Sequence, residues 1–164
     1  MIVTRPYAMV GLEIPSNVTV LYNIPASECW TIAQKSKAVV IPLRDKYTPC
    51  GHITLVGAMQ LGKIIISSFS KGTEDYLRHN ENALLVEDNN ATDLAEAIHF
   101  LDENEDVRNR IKQNAQLFAN DKFTLDRWVD FVKSFVENSK IEPTPSWAVR
   151  VSVSCDALKR PSLE

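Results

Sequence analysis

Residues 51–68 read GHITLVGAMQLGKIIISS: a glycine, a short apolar segment, a second glycine and a run of isoleucines. Loop, helix and buried strand in that order create an anion site, because unpaired N–H groups and the positive end of the helix dipole meet at the helix start. The segment from 51 to 60 carries no acidic side chain to fill that place itself. Gly51 lets the backbone approach a ligand closely, and Thr54 can add a hydroxyl donor.

Working outward, short apolar runs recur at 18–22 (VTVLY), 38–43 (AVVIPL), 63–67 (KIIIS) and 83–87 (ALLVE). They are rich in branched residues and do not alternate, the pattern of parallel strands covered on both faces. Helices are expected between them, with Ser27, Thr54 and Thr73 as candidate caps and Asn90 or Thr92 opening a helix through Leu94, Ala97, Ile98 and Leu101. Two further helices are expected around Val107 to Ala119 and Thr124 to Asn138, the last with Trp128, Phe131, Val132 and Phe135 on one face. The fold class is therefore α/β: a single Rossmann-like parallel sheet with helices on both faces. Ligands bind beyond the carboxyl ends of such strands, which sets the loops at 23–26, 43–53 and 67–73 along one rim. Residues 1–142 form this domain, shortened at its start. Residues 143–164 form a tail in which WAVRVSVS alternates like an edge strand.

The chain has 164 residues, a formal net charge of −3 and 45% hydrophobic residues, which suits one domain with a substantial core. Mild acidity argues against a nucleic-acid or anionic-membrane surface. No apolar run approaches the roughly 20 residues that span a bilayer. MIVTRPYAMVG lacks the continuous apolar core and cleavage site of a secretory leader, so a cytoplasmic location is expected. Cys29, Cys50 and Cys155 have neither metal-site nor disulfide-framework spacing and are read as non-catalytic. No metal site and no cofactor are expected. A receiver domain would need aspartates at the strand ends, where Asn23, Arg44 and Ser67 stand instead. A nicotinamide site would need GxGxxG, which is absent.

Several motifs in register carry a family resemblance. Ala58-Met59, Gly62-Lys63, Ile65-Ile66, Gly72, Asp75-Tyr76, Asn82, Leu84-Leu85-Val86 and Asp93 follow the order of EAMxxGKPVI, a glycine turn, DY, NGLLV and an acidic helix start. Asn17-Val18-Thr19 through Ile24-Pro25 is similar to a strand and turn of the form NVxFLGxVP, and Val39 to Pro42 to VxxLP. The ordered series resembles the carboxyl-terminal, donor-binding half of GT-B glycosyltransferases of the family 4, group 1 type. The resemblance implies a transferase ancestry and a nucleoside diphosphate sugar as ligand. It sets the diphosphate at Gly51, His52, Ile53 and Thr54, with Arg44 and Lys46 neutralising charge and Asn23 and Ile24 in the turn that cradles the base.

Two departures accompany it. The glutamate that the family places on the ribose falls on Gly57, and the one near the sugar falls on Pro49. A ribose hydroxyl left without its partner weakens binding by about 1–3 kcal/mol. The family also divides its site between two domains, with the acceptor and usual base on the other one. His52, with no carboxylate to orient it, is read as a loop residue rather than a base. No catalytic residue is assigned. Two readings stand side by side: a donor-binding domain inactive on its own, and a non-enzymatic relic serving as a binding or assembly module. Both leave room for a separate chain that supplies the amino-terminal half, or for self-association.

Overall fold

The computed structural model describes residues 1–44, 47 and 50–138. Lys46, Pro49, the expected 142/143 boundary, the WAVRVSVS strand and Cys155 lie outside the described residues. The chain divides into two compact units, Met1–Arg127 and Trp128–Glu164.

In the first unit, five strands and their helices follow one another as β1 (Ile2–Thr4), β2 (Val20–Tyr22), α1 (Ala26–Lys35), β3 (Ala38–Ile41), α2 (His52–Gln60), β4 (Ile64–Ser68), β5 (Leu84–Val86), α3 (Ala91–Glu103) and α4 (Glu105–Lys122). All strand pairs are parallel. They form a two-stranded sheet β1-β2 and a three-stranded sheet β3-β4-β5. This is the expected α/β class, divided into two sheets among the described residues. The strand β1 was not foreseen: three residues before a proline are too short to show a period.

β4 is the keystone, buried at all five positions. Alternate side chains leave opposite faces of a strand. Ile65 packs with Leu55, Ala58 and Met59 of α2 and with Ala115 and Ala119 of α4. Ile64 and Ile66 point the other way, to Leu84, Leu101 of α3 and Ile111 of α4. The uninterrupted isoleucines reflect that double coverage. Gly62, at the turn from α2 into β4, has φ +63 as its position after a helix demands.

Some caps differ from expectation. α1 begins after Pro25, and Ser27 lies inside it. A proline pre-set for the first turn makes the serine cap unnecessary. α2 begins at His52, two residues before Thr54. No α-helix follows Thr73: a 3₁₀ turn over Lys71–Thr73 is capped by Ser70, whose side chain accepts the Gly72 N–H. Asn90 caps α3 as expected, accepting the N–H groups of Thr92 and Asp93. His79 forms an isolated parallel bridge with Ala83, and its Nδ1 accepts the Leu85 N–H at 3.0 Å.

Asn82 is buried and serves two backbone groups: Oδ1 accepts the Arg78 N–H at 2.7 Å, and Nδ2 donates to the Tyr76 carbonyl at 3.0 Å. Asn82→Ala is expected to cost about 1–2 kcal/mol, because both partners lose their hydrogen bonds. Urea denaturation would measure it, and an unchanged midpoint would show that the turn holds without the amide.

Lys37 Nζ donates to Asp102 Oδ1 at 2.8 Å, tying the entry of β3 to α3. That hydrogen bond and the lysine charge hold the Asp102 carboxyl below its usual range. The pair therefore supports the fold at neutral pH and loses that effect as acid brings the pH down through the lowered folded-state value.

α5 (Leu125–Asn138) runs from one unit into the other. Thr124 Oγ1 accepts the Arg127 N–H at its start, and Trp128, Phe131 and Phe135 are exposed.

Candidate functional site

The start of α2 is made by Gly51, at φ +79 and ψ −4. That left-handed conformation favours glycine. A Cβ at Gly51 would lie 3.3 Å from Ile41 Cγ2, a tight approach, and 3.6 Å from Leu43 Cδ2, an ordinary contact, so it is the positive φ that selects glycine. The Gly51 carbonyl accepts the Leu55 N–H at 2.9 Å, closing the first helical turn. No side chain caps α2, and no acidic residue lies in its first turn. Its dipole is thus uncompensated by this helix's own side chains, and Ile53 (83% exposed) and Thr54 are open to a ligand.

His52 is used for positioning. Its Nε2 lies 2.7 Å from the Gly72 carbonyl oxygen. A carbonyl only accepts, so Nε2 carries the proton and donates. The ring also meets Tyr76 edge-on at 4.7 Å, and Tyr76 stacks on Phe123 at 5.0 Å. His52 therefore ties the start of α2 to the 3₁₀ turn and the tyrosine behind it. His52→Ala is expected to cost about 1–2 kcal/mol by losing one hydrogen bond and one aromatic contact. Thermal or urea unfolding would show this, and an unaltered curve would mean that the turn is held otherwise.

Gly57, one turn and a half into α2, is occupied from outside. A Cβ there would lie 2.3 Å from Cη2, 2.7 Å from Cζ3 and 3.0 Å from Cζ2 of Trp30. The indole of α1 rests where the side chain at 57 would begin. A glutamate at 57 would therefore meet the indole at its first side-chain carbon. Trp30, His52, Ile53, Val56, Gly57 and Tyr76 line a groove of about 650 Å³ along α2.

The remaining candidates line other openings. Asn23, at φ +51, and Ile24 border a cleft of about 500 Å³ with Thr4, Arg5 and Tyr7. Arg44 borders a third, of about 410 Å³, with Ser67, Ser68 and Asn90 at the carboxyl ends of β3, β4 and β5. The structure thus brings His52, Ile53 and Gly57 together but distributes Asn23, Ile24 and Arg44 elsewhere. Trp30 escaped the sequence reading because on α1 it looks like any apolar helical residue; its pairing with a mid-helix glycine was the available signal. Among the described residues, no group of three or more His, Cys, Asp or Glu is placed to hold a metal ion.

Residues 8–118 match the family described as Glycosyl transferases group 1. The chain belongs to that family. Solved structures agree at the level of fold. HepE from Anabaena, in complex with UDP-glucose, shares 20% identity at a TM-score of 0.68, over 81% of this chain and 35% of that one. Sucrose-phosphate synthase from Thermosynechococcus elongatus shares 21% at 0.61, over 74% and 31%. The carboxyl-terminal domain of the group 1 protein LpcC from Francisella tularensis shares 18% at 0.57, over 65% and 53%. This group 1 chain therefore spans about a third of the HepE chain it resembles and about half of the isolated LpcC domain. A comparison with curated proteins finds no match. Among the described residues, no helix is long and apolar enough to cross a membrane.

Proposed function

We propose that this group 1 glycosyltransferase domain binds a nucleoside diphosphate or its sugar ester at the start of α2 and does not transfer the sugar by itself. The observation that carries the reading is Gly51: a left-handed glycine turns the chain into an uncapped helix whose first turn holds no acid. The diphosphate would lie against the N–H groups of His52, Ile53 and Thr54. HepE, similar in fold, is seen with UDP-glucose. No cofactor enters this reading; the nucleotide is the ligand.

The acceptor half would reach this rim from another chain or a second copy, consistent with so exposed a side chain as Ile53. Light scattering that finds a strict monomer would count against self-association. The reading places the chain in the cytoplasm, where the free thiols Cys29 and Cys50 stay reduced.

One observation favours the second reading, a binding or assembly module without transfer: the indole of Trp30 stands over Gly57. Calorimetric titration with UDP, GDP and ADP separates the two. Saturable binding of any of them supports the donor-domain reading; no heat at millimolar concentration supports the module.

A further inference from the structure

We infer that Trp30 determines specificity in the α2 groove: its indole holds the ring portion of the nucleotide, and the groove does not sense the ribose hydroxyls. This rests on the nucleotide reading above and adds to it what the site distinguishes. In doubly wound sheets the ribose is ordinarily recognised by an acidic side chain that accepts from its hydroxyls. No Asp or Glu lines this groove among the described residues. Two of its polar side chains are engaged: His52 Nε2 with the Gly72 carbonyl at 2.7 Å, and Gln60 Nε2 with the Phe123 carbonyl at 3.2 Å. Position 57 cannot supply a carboxylate while Trp30 is in place, since even a Cβ would stand 2.3 Å from the ring.

What the groove offers instead is aromatic and aliphatic surface beside the first turn of α2: Trp30, Ile53, Val56 and Tyr76. Stacking of a base on an aromatic ring is strong enough to change affinity about tenfold and is indifferent to which base is stacked. The groove should therefore take purine and pyrimidine diphosphates within a few-fold of one another and be blind to the 2′-hydroxyl.

The test uses the full chain and the tightest-binding of UDP, GDP and ADP beside its 2′-deoxy counterpart. Wild type should bind the two within about twofold, and the nucleotide should quench indole fluorescence. Trp30→Phe should lose the quench yet keep most of the affinity, whereas Trp30→Ala should lose about tenfold for both ligands. A ribonucleotide preference of tenfold or more overturns the inference, as does nucleotide binding with no change in fluorescence. Unchanged affinity in Trp30→Ala does the same. If Trp30→Ala does not fold, the wild-type ratio and the Trp30→Phe quench still decide. Absence of any nucleotide binding overturns the nucleotide reading itself, an outcome distinct from binding that senses the ribose.

Discussion

Purified alone and given UDP-glucose and an acceptor, the chain is expected to produce no transfer at enzymatic rates. Holding donor and acceptor in reacting geometry contributes about 7–11 kcal/mol to catalysis of this kind. That contribution corresponds to about five to eight powers of ten in rate. The chain spans 35% of the HepE chain, and its groove presents no carboxylate among the described residues. Its rim histidine is committed, since His52 Nε2 donates to the Gly72 carbonyl. The proposed function thus separates binding a nucleotide from moving its sugar. A radiochemical assay should stay at background, and turnover in the usual range of about 1–10³ per second would contradict the reading.

Gly57→Glu is expected to destabilise the domain by about 3 kcal/mol and to leave nucleotide affinity no better than wild type. Two effects oppose each other. Replacing a glycine inside a helix gains up to about 1 kcal/mol from backbone entropy. Against that, the first carbon of the new side chain would stand 2.3 Å from Trp30 Cη2, and the next two ring atoms lie within 3.0 Å. The obstacle is a bulky bicyclic ring on α1, which has to swing aside as a whole rather than bend at its tip as a lysine would. Overpacking wins. Trp30→Ala should relieve it, so the double variant should cost less than the two single costs added together, with an interaction of about 1–3 kcal/mol. Gly57→Glu at wild-type stability, or strictly additive changes in the cycle, would show that the indole moves away freely.

The Gly57 result marks where the sequence stops being readable. The run at 64–66 announced its strand because β4 is covered on both faces, a property written into consecutive residues. The helix from 105 to 122 was legible for a related reason: Ile111, Ala115 and Ala119 recur at helical spacing and all turn inward. Caps were less legible. Ser27, Thr54 and Thr73 are good capping types, but Pro25, Gly51 and Ser70 hold those positions, since a pre-set φ, a left-handed turn and a local hydroxyl served the chain better. The site was least legible. Gly51 is legible from its own context as the glycine that opens α2, but the packing of Gly57 depends on Trp30, 27 positions earlier and on another helix. No local rule connects them. The same holds for the hydrogen bond between His52 and Gly72, which spans 20 positions.

The central claim is that the start of α2 receives a diphosphate, and amide-resolved NMR of the full chain titrated with UDP, GDP or ADP tests it most directly. The account predicts saturable shifts at the amides of His52, Ile53 and Thr54 together with the indole N–H of Trp30. Shifts confined to the cleft bordered by Arg44 and Asn90, or no shifts with any of the three at millimolar concentration, would contradict it.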